Sequence, residues 1–313
     1  MKPSLSLILF TVSSGAGFGL FVLLVVINNT GWGAPMSERE VLVAGALSLA
    51  LVTGGLISST FHLANPKNAI KSLNRIRTSW LSREGLFSLV FFLPAIAYLV
   101  LVGLYGNPPG AVVRFSGWLA LILALTTLFC TGMIYASLKT IRQWHNPMVP
   151  ANYLFIGLAS GGVLLTTIRA LITASDSAAA TLTLALLALA ALVKLIYYFW
   201  IGKPEGPTLN SATGLGPERV KLLDVGHSHG NFLTEEFGHR LAAGRSFLLR
   251  TLALVMAFLV PFAVLVVVAN RDAPQALTLL ALVAALSGIL IERWLFLIEG
   301  HHAVNLYYGR QRT

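Results

Sequence analysis

The chain has 313 residues, of which 56% are hydrophobic and 11% are charged. Soluble domains carry about 25% charged residues, so this composition excludes a soluble enzyme and predicts a polytopic membrane protein. The formal net charge of +10 is, in such a protein, typical of cytoplasmic loops that are rich in lysine and arginine.

Eight apolar stretches are each about 20 residues long, the length that a helix needs to cross about 30 Å of hydrocarbon. They lie near residues 5–27, 42–63, 85–105, 116–138, 151–173, 179–201, 246–269 and 275–298. None alternates like a barrel strand, so we predict an all-α integral membrane protein with eight transmembrane helices. Small residues at 13–17 are echoed at 159–162. This echo suits two four-helix halves, although close helix packing alone would also explain it.

The distribution of positive charge predicts the orientation. The N-terminus, the loops after predicted helices 2, 4 and 6, and the C-terminal tail carry 15 lysines and arginines, whereas the other loops carry three. Because positive loops stay on the cytoplasmic side, both termini are expected in the cytoplasm.

Two segments on that side are longer than simple turns. Residues 64–84 form a basic connector that is long enough for an amphipathic surface helix, and residues 202–245 form a loop of 44 residues with many aromatic and aliphatic side chains. Such a loop is typical of a surface that packs on a partner. Its histidines and glutamates lack the thiolates of a structural zinc site, so we predict no metal there; these residues are His227, His229, His239, Glu235 and Glu236.

The redox groups that the chain can hold itself are limited. None of the seven histidines lies near the middle of a predicted helix, and Cys130 is the only cysteine. A membrane haem needs axial histidines on facing helices, and an iron–sulfur cluster needs several thiolates. We therefore predict no intrinsic haem or cluster, so that any redox role depends on a diffusible cofactor.

A histidine and a glutamate flank the basic connector. His62 lies where helix 2 ends and Glu84 lies where helix 3 begins. An imidazole that binds a ring oxygen, together with a buried carboxyl that exchanges a proton, makes a plausible quinone site. Trp80 and Arg83 can orient the ring or hold the carboxylate charged.

A purely structural interpretation of the same residues stays open. In it, Ser82 is the N-cap of helix 3, Glu84 caps the first turn, and Arg83 reaches lipid phosphate. His62 is then an ordinary interfacial histidine.

Further ionisable residues lie within or at the ends of the later helices: Arg169, Lys194, Glu292, Arg293 and Glu299. Glu292 and Glu299 are seven residues apart, which places them on one helix face. The set can form a proton path or consist of paired ions that fix the packing. Arg169 and Lys194 lie close to helix ends, where snorkelling to the interface is the simpler explanation.

Beyond these local features, the sequence resembles a known family. The stretch SSTFHLANPKNAIKSLNRIRTSWLSREG is similar to the signature of the membrane-anchor subunits of dimethyl sulfoxide reductase. Residues 212–216 and 231–238 resemble that family's loop between helices 6 and 7. The anchor of quinone-linked sulfite-oxidising complexes is similar as well.

The resemblance implies a haem-free anchor in the bacterial cytoplasmic membrane. Such an anchor exchanges electrons between the quinone pool (menaquinone or ubiquinone) and a ferredoxin-like iron–sulfur subunit, which serves a molybdopterin catalytic subunit. It implies that His62 and Glu84 handle the protons of the quinone, that Trp80, Ser82 and Arg83 help to bind it, and that the connector and the long loop dock the iron–sulfur subunit. Two rival functions stay open, a secondary transporter and an anchor without a quinone site.

Overall fold

Eight long helices dominate the computed structural model, which describes residues 3–61, 71, 73–173, 177–203, 206–216, 218, 220–224, 226, 229, 231, 233, 237, 243–270 and 274–312. They are α1 (Leu5–Thr30), α2 (Glu38–Thr60), α3 (Trp80–Tyr105), α4 (Ala111–Ala136), α5 (Met148–Ile172), α6 (Ser177–Gly202), α7 (Ala243–Leu254, a π-helical turn over Val255–Leu259, and Val260–Asn270) and α8 (Leu277–Ile298). All eight are long and apolar enough to cross a membrane. The predicted all-α fold with eight spanning helices is confirmed.

The helices form two rings of four. In the first ring α1 packs on α2, α2 on α3, α3 on α4, and α4 back on α1. In the second, α5 packs on α6, α6 on α7, α7 on α8, and α8 back on α5. Each ring surrounds an apolar core to which the other ring also contributes, and contacts of α5 with α1 and α4 join the two rings. This arrangement agrees with the prediction of two four-helix halves.

The long loops and the C-terminal tail lie at one end of the bundle. The Ser58 hydroxyl near the end of α2 donates to the Ser6 carbonyl at the start of α1. Arg142, between α4 and α5, donates to the Lys203 carbonyl after α6, and Ile141 pairs with His302 after α8. We call this end the basic end, after the 15 lysines and arginines that the sequence assigns to its loops and termini.

Several helices begin earlier than their apolar stretches. α2 begins at Glu38 rather than near 42, because Ser37 and Glu40 form a reciprocal capping box at its start. Capping residues are polar, so hydrophobicity marks only the apolar middle of a helix.

The small residues shared by helices 1 and 5 form the seam between the two halves. A Cβ built on Gly161 would lie 2.1 Å from the backbone of Gly19 and Leu20, and one on Gly19 would lie 1.9 Å from the Gly157 carbonyl oxygen. Only glycine permits such an approach of two backbones. Close packing therefore explains the small residue at Gly161, one of the echoed residues 159–162.

The Gly161→Ala variant is expected to lower the free energy of unfolding by about 1–3 kcal/mol, because its methyl group would force the two helices apart. Gly54→Ala is the matched control, since Gly54 is exposed and a Cβ there meets nothing within 4 Å. Unfolding of the two purified variants in detergent checks this. Equal stability would show that the seam tolerates a methyl group.

Candidate functional site

The site begins where the connector enters α3. Ser79 is the N-cap of the helix, and its hydroxyl accepts a hydrogen bond from the Ser82 N–H at 3.3 Å. The structural interpretation that made Ser82 the N-cap and Glu84 a capping residue is therefore wrong. Serine is a good cap at either position, and three residues of sequence context do not decide between them.

The Glu84 side chain is buried in the bundle, with a relative exposure of 4%. Its Oε1 accepts a hydrogen bond from the Thr131 hydroxyl of α4, and its backbone carbonyl accepts one from Ser88. A carboxyl group held in an apolar bundle by one hydroxyl is costly to bury, which is typical of functional rather than architectural positions.

Trp80 and Arg83 pack on each other at the first turn of α3, apart from the Glu84 carboxyl. The Arg83 guanidinium lies 4.2 Å from the centre of the Trp80 ring. It donates to the carbonyl oxygens of Ile76 and Arg77 at 2.9 and 2.8 Å. The Trp80 ring also contacts Phe129 of α4, edge to face, with 6.0 Å between centroids. Arg83 thus binds the end of the connector, whereas the Glu84 carboxyl is bound from α4.

His62 and eight of the 21 connector residues lie outside the described residues, since 62–70 and 72 are not described. In the described part, Leu73–Arg75 form a single 3-10 turn and residues 76–78 a further turn before α3. The expected amphipathic surface helix therefore does not continue up to α3. The turn residues here have exposed charged side chains and no apolar stripe long enough to extend it.

A second ionic cluster lies between α6 and α8. The Lys194 ammonium pairs with Glu292 Oε1, and Arg293 Nε lies 3.4 Å from Glu292 Oε2. Lys194 and Arg293 are 1% and 3% exposed, and the Lys194 ammonium also lies 4.3 Å from the centre of the Tyr197 ring. Lys194 does not snorkel. Its partner on α8 lies at the same depth, and pairing avoids the cost of an isolated charge.

Arg169 is also buried, with 2% of its surface exposed. Its Nε lies 3.2 Å from Glu40 Oε1, which accepts a further hydrogen bond from the Thr173 hydroxyl at 2.7 Å. The snorkelling interpretation is wrong here too, and the ions join α5 to the start of α2. No sequence pattern indicates this pair, because the partners are 129 positions apart.

Glu292 and Glu299 share a helix face but not a partner. Glu299 binds Arg250 of α7 at 2.8 Å and the Ser246 hydroxyl, while Glu292 binds Lys194 of α6. The spacing of seven residues therefore describes two ion pairs that link α8 to different neighbours. The paired-ion interpretation holds for both.

The described part of the 202–245 loop is tied to the C-terminal tail. The Leu209 N–H donates to the Gln311 carbonyl at 3.0 Å, and Phe237 packs on His302 with 4.7 Å between ring centroids. Burial lowers the pKa of His302, so its ring stays neutral at pH 7. The tail thus belongs to the same surface as the loop, which the sequence did not indicate. Of the five histidines and glutamates considered above as a metal set, four lie outside the described residues: His227, Glu235, Glu236 and His239.

Comparison with known proteins shows which family the chain belongs to. The family model of the DMSO reductase anchor subunit (DmsC) matches residues 1–309. The chain belongs to this family. It is therefore a multi-pass membrane anchor subunit of an oxidoreductase complex, and the transporter interpretation is wrong.

The relatives differ in how much of the chain they match. A sulfite dehydrogenase subunit of Allochromatium vinosum is 32% identical over 326 residues, covering 98% of this chain and 99% of that protein. Two anaerobic dimethyl sulfoxide reductase chains of Escherichia coli, YnfH and a second one, are 33% and 28% identical over 168 and 162 residues. These two matches cover 52% and 51% of this chain, and 56% and 55% of the two relatives. The sulfite dehydrogenase protein is thus similar along the whole anchor, and the two reductase chains over about half of it.

Proposed function

We propose that this anchor is the quinone-reactive subunit of a molybdopterin oxidoreductase and passes electrons between the membrane quinone pool and an iron–sulfur subunit. The observation that carries the proposal is the buried Glu84 carboxyl, held by Thr131 near the basic end of α3. Purely structural carboxylates in this chain, such as Glu40 and Glu292, have a cationic partner. Glu84 is instead held by a neutral hydroxyl, as suits a group that gains and loses a proton.

The quinone is expected to bind between the end of α2 and the start of α3, two helices that pack on each other. His62 follows α2 by two residues and can hydrogen-bond a ring oxygen, while Glu84 takes a proton from a quinol or gives one to a reduced quinone. Each quinol oxidised releases two electrons and two protons, and quinone reduction takes up the same numbers. Trp80, Ser82 and Arg83 shape the first turn beside this position.

The partners are proposed from the family and from the surface at the basic end. A ferredoxin-like iron–sulfur subunit docks on the 64–84 connector, the 202–245 loop and the tail. A molybdopterin catalytic subunit lies beyond it. The charge count supports a cytoplasmic location for this end and for both termini, with the chain in the inner membrane of a bacterium. Because none of the seven histidines falls within α1–α8 as described, the anchor is expected to hold no haem itself, and electrons pass directly between the quinone and the partner's nearest cluster.

The complex is proposed to oxidise sulfite rather than reduce dimethyl sulfoxide. The support is the coverage of the comparisons, because the similarity to the sulfite dehydrogenase protein extends over 98% of the chain and that to the reductase chains over about half. The catalytic subunit determines the terminal substrate, so its identity tests this part separately.

Purification of the complex from its native membrane in mild detergent tests the proposal. Mass spectrometry is expected to find a molybdopterin subunit and a cysteine-rich iron–sulfur subunit with the anchor, and an azido-quinone is expected to label peptides at the end of α2 and the start of α3. Recovery of the anchor alone would contradict the proposed partners. Labelling confined to another helix pair would contradict the proposed quinone position.

A further inference from the structure

A small internal cavity lies where α1, α4, α5 and α8 meet. Gly15 is on its wall, and a Cβ built there would meet no heavy atom of the described residues within 4 Å. Its neighbour Gly19, one turn further along α1, is in backbone contact with α5. The hollow at Gly15 is therefore a local feature of the seam, with a volume of about 10 Å³, the space that one ordered water needs.

Arg293 lines this cavity with hydrogen-bond donors that are not used. Its Nε and Nη1 are buried and have no hydrogen-bond partner among the described residues, although Nε lies 3.4 Å from Glu292. The guanidinium carbon lies 3.8 Å from the centre of the Tyr153 ring, which is also on the wall. Buried donors without partners cost free energy, and a bound water is the usual remedy.

The other polar groups on the wall can accept. Ser14 donates its own proton to the Phe10 carbonyl at 2.6 Å, and Ser160 donates to the Gly157 carbonyl at 2.9 Å. The Thr131 hydroxyl donates to the Glu84 carboxyl and also lies 3.0 Å from the Thr127 carbonyl oxygen, one turn back on α4. Each hydroxyl has thus used its proton, and its oxygen keeps lone pairs that can accept. A water that accepts from the arginine can donate to two of these oxygens, which gives it three hydrogen bonds, as buried waters typically have.

The charges on the two sides of the cavity are complementary. Lys194, Glu292 and Arg293 together leave one positive charge unbalanced inside the bundle. The next acid on α8, Glu299, is already paired with a cation of α7. On the other side of the cavity, beyond the Thr131 hydroxyl, lies the Glu84 carboxyl.

We propose that one ordered water occupies this cavity and joins Arg293 to Thr131, so that Arg293 is a positioning residue that stabilises the carboxylate form of Glu84. The Arg293 N–H donates to the water, the water O–H donates to Thr131, and the Thr131 O–H donates to Glu84. Every donor in this series of hydrogen bonds points toward the carboxylate. The water and the link between Arg293 and Glu84 are inferred from geometry alone. Their importance for turnover rests on the proposed role of Glu84.

The titratable groups around this series of hydrogen bonds come from five helices. They are Arg83 and Glu84 on α3, Cys130 and Tyr135 on α4, Tyr153 on α5, Lys194 on α6, and Glu292 and Arg293 on α8. Of these, only Glu84 is a carboxyl without a cationic partner among the described residues. Glu292 keeps Lys194 as its counter-ion when Arg293 is lost, so Glu84 is the carboxyl whose protonation the measurement follows.

Infrared difference spectroscopy of the complex tests the electrostatic part without any quinone turnover. The carboxylic-acid band of Glu84 is assigned by its loss in Glu84→Gln. At a matched pH, Arg293→Gln is expected to raise the ratio of protonated to ionised Glu84 about tenfold, and Arg293→Lys is expected to restore part of the ionised fraction. An unchanged ratio in Arg293→Gln would overturn the link between Arg293 and Glu84.

Filling the cavity tests whether an ordered water is present in it. Gly15→Ala places a methyl group in the hollow without a clash, and alanine favours the helix. This variant is expected to lose the ordered water in a high-resolution cryo-EM map of the complex and to raise the protonated fraction of Glu84 in the same direction as Arg293→Gln. Gly54→Ala, on the exposed face of α2, should change neither. A wild-type map with a dry cavity would overturn the proposal, whatever the quinone-linked activity of the variants.

Discussion

The Glu84→Gln variant is expected to lower quinone-linked turnover of the complex by about 100-fold or more, the usual loss when a positioned proton acceptor is removed. Glutamine has the size of glutamate, and its carbonyl oxygen can still accept the hydrogen bond from Thr131. It cannot take up or release a proton. Turnover with an artificial dye that reacts with the soluble subunits should therefore stay at the wild-type level.

The measurement is the ratio of quinone-linked to dye-linked turnover in the purified complex. Glu38→Gln is the matched control, because Glu38 is an exposed glutamate at the start of another spanning helix. Turnover within about twofold of wild type in Glu84→Gln would support an anchor without a proton role for this residue. Loss of the complex, with both activities gone, would show that Glu84 is structural.

Among the buried ions, Glu292→Gln is expected to cause the largest loss of stability, about 3–5 kcal/mol. The change leaves the Lys194 ammonium and the Arg293 guanidinium close together without their shared carboxylate. Lys194→Met should cost clearly less, because Glu292 then keeps Arg293 as its partner. The same reasoning predicts that Arg293→Gln folds, since the Lys194–Glu292 pair remains.

Chemical unfolding of the anchor in detergent, followed by tryptophan fluorescence, compares these variants. Glu218→Gln and Lys139→Met are the controls, since both residues are exposed at the basic end. A smaller loss in Glu292→Gln than in Lys194→Met would contradict the assignment of Glu292 as the shared counter-ion. Equal losses would contradict it as well, because they would mean that the three charges do not act as one cluster.

The sequence by itself determined the fold class, the eight helices and the family. These follow from local properties, because an apolar stretch of about 20 residues is stable in a bilayer only as a helix that satisfies its own hydrogen bonds. The sequence also singled out Glu84, since an ionisable residue at the edge of an apolar stretch, at membrane depth, is unusual wherever its partner lies. The role of His62 stays a prediction from sequence.

The tertiary structure decided which polar groups meet. Thr131 is 47 positions from Glu84, and the two residues of the Lys194–Glu292 pair are 98 positions apart, so no spacing rule connects them. Gly15 and Gly19 are the same residue type one turn apart, yet one faces a cavity and the other a backbone. Such differences depend on the rotation and depth of each helix against its neighbours. Packing of all eight helices fixes these quantities, and the composition of a single helix does not.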